Sequence, residues 1–267
     1  MQGQIGKVDC KIFERITIVM AISQLEFFSI LPKPRSSIRL FCFPHAGGGP
    51  AAFNKWGSAL PPEIEFCAIR LPGRETRLRE KPFTQIEPLV QSLVDAFEPL
   101  LDKDFIFYGH SMGSLVAFET ARELRRRGHA LPLHFIVSAR RALYLPNPDA
   151  DLYKMPAAQL LGELHERYGG IPIELLKDRE LLNLFIPTLR ADVTVLGTYT
   201  FTDEAPLDCP ISVFGGLKDH AVSRADLEAW GRLTSRSFEV HMLDGNHFFV
   251  HQEAFMKALK AILLSYL

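Results

Sequence analysis

Phe105-Ile106-Phe107-Tyr108, then Gly109-His110-Ser111-Met112-Gly113, then Leu115-Val116-Ala117-Phe118 is the stretch whose reading decides the fold. Its first four residues are β-formers in an unbroken apolar run, as in a strand buried on both faces. Its last four open a run with helical spacing. Between them a Gly-x-Ser-x-Gly pattern must turn the chain sharply from strand to helix, and glycine relieves the backbone crowding such a turn creates. Ser111 is thereby pushed out at the carboxyl end of a sheet. Its backbone lies at a helix start, where free N–H groups and the helix dipole favour a developing anion. Ser111 is therefore the candidate nucleophile.

Working outward, short apolar runs bounded by turn residues predict strands over 38–43, 64–71, 104–108, 133–138, 210–214 and 238–243. Helical spacing occupies 86–101, 112–127, 225–234 and 252–267. This alternation predicts an α/β fold, a doubly wound, mostly parallel sheet with right-handed crossovers. The rhythm breaks once. About 70 residues separate the strand at Leu133 from that at Pro210, too many for a plain connection. Within them 157–168 and 178–189 are amphipathic and helical, with Gly169-Gly170 and Pro172 between, so an inserted helical subdomain is expected. Residues 1–37 show no clear period, and 31–37 reads as a linker. The expectation is a poorly ordered extension over 1–37, with Met20 as an alternative start, and one domain over 38–267.

The composition agrees. Of 267 residues, 47% are hydrophobic and 23% charged, with 30 Lys+Arg against 31 Asp+Glu and a formal charge of -1. That excludes disorder, collagen and coiled coil. It also gives no global reason to bind nucleic acid or an anionic membrane, which call for a basic excess. Cys10, Cys42, Cys67 and Cys209 are too few and too irregular for a disulfide scaffold, and no CxxC occurs. They read as reduced residues, mostly in the core. The most membrane-like run, 16–25, is far shorter than the roughly 20 residues a spanning helix needs. It also lacks a signal-cleavage site, so a cytoplasmic protein is the simplest expectation.

A serine hydroxyl needs a neutral imidazole to take its proton. Of nine histidines, His247 follows the last predicted strand in the turn Asp244-Gly245-Asn246-His247 and leads into the final helix. That is where the chain order Ser, Asp, His places a base, with His251 and His220 behind it. For the orienting acid, Asp219 follows the strand Ile211-Ser212-Val213-Phe214 and is favoured, since strand-end loops carry such groups. Asp192 also lies between the serine and the histidine and stays open as the rival. An oxyanion needs two preset N–H donors. Met112 follows the nucleophile, and Phe43-Pro44-His45-Ala46-Gly47-Gly48-Gly49 offers Ala46 near the first strand's end. No GxGxxG or P-loop lysine supports a nucleotide site.

Taken together, Phe43-Pro44-His45-Ala46-Gly47-Gly48, Trp56, Leu71-Pro72-Gly73-Arg74-Glu75, the Ser111 turn, Leu189-Arg190-Ala191-Asp192 and His247-Phe248-Phe249 resemble the type II thioesterases. These are free-standing α/β-hydrolases that accompany nonribosomal peptide and polyketide synthases. The resemblance spans 38–267. It implies hydrolysis of acyl or peptidyl thioesters on the phosphopantetheine arm of carrier proteins, clearing stalled or wrongly primed chains. Ser111, Asp219 and His247 would be the triad, Ala46 and Met112 the oxyanion donors, and 143–189 a helical lid over the acyl pocket. It implies no metal and no bound cofactor, acyl or peptidyl carrier domains as partners, and a monomer. Two departures stand out: Gly245-Asn246 replaces the family's glycine pair before the histidine, and the N-terminus is long. Other readings are a medium-chain fatty acyl thioesterase, an oxygen-ester carboxylesterase and a non-catalytic carrier-binding scaffold. Arg122, Arg125, Arg126 and Arg127 read first as a solvated helix end and second as a carrier-docking patch. The apolar residues of the insertion, such as Leu160, Leu161, Leu164, Leu181, Leu182 and Phe185, read first as packing. Arg74-Glu75 reads as a structural pair.

Overall fold

The computed structural model describes residues 26–171 and 178–267. Strands β1 (Phe28–Leu31), β2 (Ile38–Phe43), β3 (Ile64–Ile69), β4 (Asp104–His110), β5 (Phe135–Ser138), β6 (Ile211–Gly216) and β7 (Phe238–Leu243) form one sheet. Its order is β1-β3-β2-β4-β5-β6-β7. The β1–β3 pair is antiparallel and every other pair parallel.

The unbroken apolar runs follow from two covered faces. Successive side chains alternate across the sheet, so Phe41, Phe43, Phe105 and Phe107 join one core while Leu40, Cys42, Ile106 and Tyr108 join the other. Helices α1 (Ile86–Phe97) and α2 (Met112–Arg126) cover the first face. The C-terminal helix α6 (Glu253–Leu264) packs Phe255, Leu259 and Leu263 onto the second, beside Phe53 and Trp56. Each such buried side chain contributes about 1.5–3 kcal/mol. Arg39 interrupts β2 yet stays buried, because its register partner on β3 is Glu65, whose carboxylate lies 2.5 Å from Arg39 Nε.

The expectation of an unstructured segment up to residue 37 is corrected at its end. Phe28–Leu31 adds an antiparallel edge strand to β3, and Phe28 packs on Phe41 and Phe97 at ring-centroid distances of 5.9 and 5.1 Å. Four residues are too few for alternation to declare itself. The remainder of the proposed extension, residues 1–25, lies outside the described residues.

Helices α3 (Ala157–Tyr168) and α4 (Arg179–Thr198) form the insertion, with their own small core of Leu152, Leu160, Leu161, Ile171, Leu189 and Val193. The Asp178 carboxylate caps α4 by accepting the N–H groups of Glu180 and Leu181 at 3.0 Å. Sequence spacing stopped this helix at 189, whereas it continues nine residues further, past Pro187. Packing of Leu189 and Val193 carries it through the missing N–H. The region 225–234 is a short helix α5 (Arg224–Glu228) followed by a 3-10 turn over Ala229–Leu233.

Candidate active site

At the junction of β4 and α2, Ser111 adopts φ 53° and ψ -114°, a backbone conformation that costs a non-glycine residue of order 1–3 kcal/mol. The surroundings enforce it. The Ser111 N–H donates to the Ser138 carbonyl at 2.8 Å, and Ser114 Oγ donates to the Gly109 carbonyl at 2.7 Å. A Cβ on Gly113 would stand 2.0 Å from the Phe43 carbonyl oxygen, and one on Gly109 would stand 2.5 Å from the Ser114 backbone. The two glycines therefore let the end of β2 and the start of α2 close around the serine, as the pattern required.

Asp219 and His247 come together on the neighbouring strand ends. The Asp219 carboxylate accepts the His247 Nδ1–H at 2.8 Å, and the two side chains are only 1% and 3% exposed. Backbone bonds hold the two loops in register: Leu217 N–H donates to Leu243 and Lys218 N–H to Gly245, both at 2.8 Å. Gly216 permits this approach, because a Cβ there would stand 2.5 Å from the carbonyl oxygens of Gly245 and Asn246. The Gly245-Asn246 departure is tolerated because only Gly245, at φ 147°, leaves ordinary L-residue backbone space. Asn246 Oδ1 instead accepts the Phe248 N–H at 3.0 Å and tightens the turn. His220 and His251 are exposed and hold no place at this site.

Asp192, the rival acid, is spent elsewhere. One oxygen accepts from Arg74 Nη2 at 2.8 Å; the other accepts from Arg74 Nη1 at 2.9 Å and from the Gly47 N–H at 2.7 Å. Arg74 Nη1 also donates to the Gly48 carbonyl at 2.8 Å. The pair clamps the 45–49 loop against α4. The reading of Arg74-Glu75 as a pair is corrected too: Arg74 belongs to Asp192, while Glu75 accepts the Ala51 N–H at 2.9 Å. Neither the Ala46 nor the Met112 N–H finds an acceptor among the described residues, so both are available beside Ser111.

Ser111 and His247 share the wall of one chamber of about 350 Å3 with His45 and Ala46. Its far walls come from the insertion and include Leu152, Leu164, Ile171, Phe185, Leu189 and Val193. Of the apolar residues read as packing, Leu164 and Phe185 line this chamber, Leu160 and Leu161 are core, and Leu181 is exposed. Tyr168 from α3 lies over the His247 ring at 4.7 Å. Burial, with His247 nearby, pushes the His45 imidazole down to about 4, so it stays neutral. His110, inside the serine turn, is driven down by burial as well, its Nδ1 3.0 Å from Ser138 Oγ. Sequence reasoning missed Arg140, Asp149 and Tyr168 as chamber residues, since nothing in their spacing ties them to Ser111.

The arginines at the end of α2 are paired: Arg122 with Glu119 and Glu204, Arg125 with Glu204, Arg126 with Glu123 and Glu204, and Arg127 with Asp95 and Glu123. That speaks against a free cationic patch and corrects the solvated reading in part: Arg125, Arg126 and Arg127 stay accessible, whereas Arg122 is buried. Cys42, Cys67 and Cys209 are buried and unpaired with one another, and burial raises all three thiols. Among the described residues no group of three His, Cys, Asp or Glu side chains could hold a metal ion, and no helix is long and apolar enough to cross a membrane.

A family model described as a thioesterase domain matches residues 38–263. The chain is 41% identical over 220 residues to the gramicidin S biosynthesis protein GrsT of Aneurinibacillus migulanus, covering 82% of this chain and 86% of that one. It is 39% identical to the medium-chain S-acyl fatty acid synthase thioesterase of Rattus norvegicus, covering 81% and 83%. Among solved structures, RedJ, a thioesterase from the prodiginine biosynthetic pathway in Streptomyces coelicolor, superposes with a TM-score of 0.79 at 34% identity, covering 88% of both chains.

Proposed function

Because this chain belongs to the thioesterase family and is a thioester hydrolase, we propose that it removes acyl or peptidyl groups from the phosphopantetheine arm of the carrier domains of a nonribosomal peptide or polyketide synthase. The single observation that carries the chemistry is the strained Ser111 turn opening onto the same apolar chamber as the Asp219-bound His247. Similarity to GrsT, a gramicidin S biosynthesis protein, and to RedJ, a thioesterase from the prodiginine biosynthetic pathway, supports the choice of partner.

This arrangement supports the following reaction. With Nδ1–H donated to Asp219, the basic nitrogen of His247 is Nε2, which takes the Ser111 proton as Oγ attacks the thioester carbonyl. The N–H groups of Ala46 and Met112 receive the oxyanion, and each such donor accounts for about 10²–10³ in rate. The C–S bond then breaks, and the thiol leaves with the proton from His247. Water, deprotonated by His247, attacks the acyl-serine and releases the free acid. A thiolate leaves readily, so this triad needs less acid assistance than one cleaving amides. No metal or bound cofactor takes part in this scheme.

Replacing Ser111→Ala is expected to abolish hydrolysis of acyl-pantetheine thioesters while the protein melts at its usual temperature; retained turnover would sink the mechanism. Similarity to the rat medium-chain enzyme favours one second reading, release of fatty acyl chains. A panel of carrier-bound acyl groups of increasing length separates the two, since that reading demands a maximum at medium-length unsubstituted chains.

A further inference from the structure

Arginines elsewhere in the interior are paired. Arg39, Arg74, Arg77 and Arg122 are buried, and each meets a carboxylate within 3 Å. Arg141 reaches Asp226 and the Pro146 carbonyl. Arg140, its neighbour, differs. It follows β5 directly after Ala139, whose φ is 51°, and its main-chain carbonyl is fixed by Trp230 Nε1–H at 2.7 Å. The side chain lines the chamber that holds Ser111 and His247. Its Nε is buried without an acceptor, as are those of Arg122 and Arg141, but whereas their Nη groups are bonded, no part of the Arg140 guanidinium makes a hydrogen bond or ion pair with any described residue.

Asp149 also lines the chamber, but Arg167 bonds one of its oxygens at 2.7 Å and the Tyr168 hydroxyl the other. The chamber wall therefore carries a cation, and the carboxylate that shares the wall with it is bonded to other groups. Burial depresses the Arg140 guanidinium, the sign of a charge short of solvation. A charged donor facing a largely apolar cavity gains most from a ligand oxygen that completes its bonding.

We propose that Arg140 is a specificity-determining residue that binds an acceptor oxygen, carboxylate or carbonyl, carried on the acyl chain beyond the thioester. The chamber then favours oxygenated acyl groups over plain hydrocarbon chains of the same length. This rests on the thioesterase reading above, and deepens it by naming the substrate class.

The test uses N-acetylcysteamine thioesters of hexanoate, 5-oxohexanoate and adipate, the last a half-thioester with a free carboxylate. The wild type is expected to show kcat/KM for one or both oxygenated chains about ten- to a hundredfold above hexanoyl, the range of a hydrogen bond to a charged group. In Arg140→Met that ratio is expected to fall to one or below. Preference for adipate alone assigns the carboxylate; equal preference for both assigns any acceptor oxygen. Should the Met variant fail to fold, Arg140→Gln, a neutral donor, reads the same ratio and is expected to lose the adipate preference. The same ratio in variant and wild type, or no wild-type preference, overturns the proposal while the thioesterase reading stands. Failure of the wild type to hydrolyse any of the three overturns the thioesterase reading itself, and the proposal with it.

Discussion

Asp192 and Asp219 are both buried carboxylates near Ser111, and exchanging each for asparagine separates clamp from catalyst. Asp192 is 1% exposed and holds Arg74 through two bonds of 2.8 and 2.9 Å, with a third from the Gly47 N–H at 2.7 Å. The change Asp192→Asn keeps the shape but strips the charge, leaving the Arg74 guanidinium buried opposite an amide. Breaking a buried pair from one side costs about 3–5 kcal/mol. For a domain of this size each kcal/mol lowers the melting temperature by roughly 2–4 °C, so a drop of roughly 6–20 °C is expected. Its activity at low temperature should fall less than the 10²–10³ of losing an oxyanion donor outright, because the 45–49 loop is loosened and not removed. Asp219→Asn should behave in the opposite way. The amide can still meet a ring nitrogen of His247, so melting shifts little, but the wrong tautomer is held and kcat falls by about 10⁴. Thermal melting by circular dichroism and acyl-pantetheine hydrolysis below the melting point read the two effects independently. If Asp192→Asn melts as the wild type and loses turnover while Asp219→Asn stays active, both assignments are wrong.

Three further outcomes follow from the same structure. Gly113→Ala should destabilise by about 3 kcal/mol and lose activity, since its methyl would sit 2.0 Å from the Phe43 carbonyl oxygen and push the oxyanion strand away; melting and turnover together check it. His134 is buried with its ring nitrogens 2.9 Å from the hydroxyls of Tyr266 and Ser212, and burial lowers it to about 4. Unfolding therefore takes up a proton between pH ~6.5 and ~4, so stability falls by about 3 kcal/mol as pH drops across that window. His134→Gln should remove its share of that slope in urea titrations at stepped pH, leaving the share of His45 and His110, which burial lowers as well. Leu164→Trp, by filling part of the chamber of about 350 Å3, should cut kcat/KM for long acyl chains by tenfold or more relative to acetyl; equal effects across chain lengths would place Leu164 outside the acyl path.

Much of the fold was legible because its signals are local. A strand buried on both faces is almost wholly apolar, so 38–43 stands in the sequence with the limits the structure gives it; 238–243 also keeps its predicted limits, although it is a part-exposed edge strand and carries Glu239 and His241. The serine turn was equally plain, because one backbone geometry demands glycines at fixed offsets. Asp219 and His247 were reachable by chain order, since the ends of parallel strands converge on one sheet edge. The edge strand β1 was not, being four residues long with its pairing partner over thirty residues away. Nor was the end of α4, where packing against Leu152 and Leu160 outweighs the break that Pro187 announces. The role of Asp192 was ambiguous for the same reason: position between serine and histidine fits an acid, and only the fold sets it against Arg74, 118 residues away in the chain.

By itself, then, the sequence determined the parallel strands, the serine turn and the chain order of the candidate serine, acid and base, set by backbone rules acting over a few residues and by the order of the strand ends. Which carboxylate meets the imidazole, what clamps the 45–49 loop, and that Arg140 lines the chamber of Ser111 and His247 were decided only in three dimensions. Pairing of buried charges depends on distance in space and on exclusion of water, and neither is written in spacing along the chain.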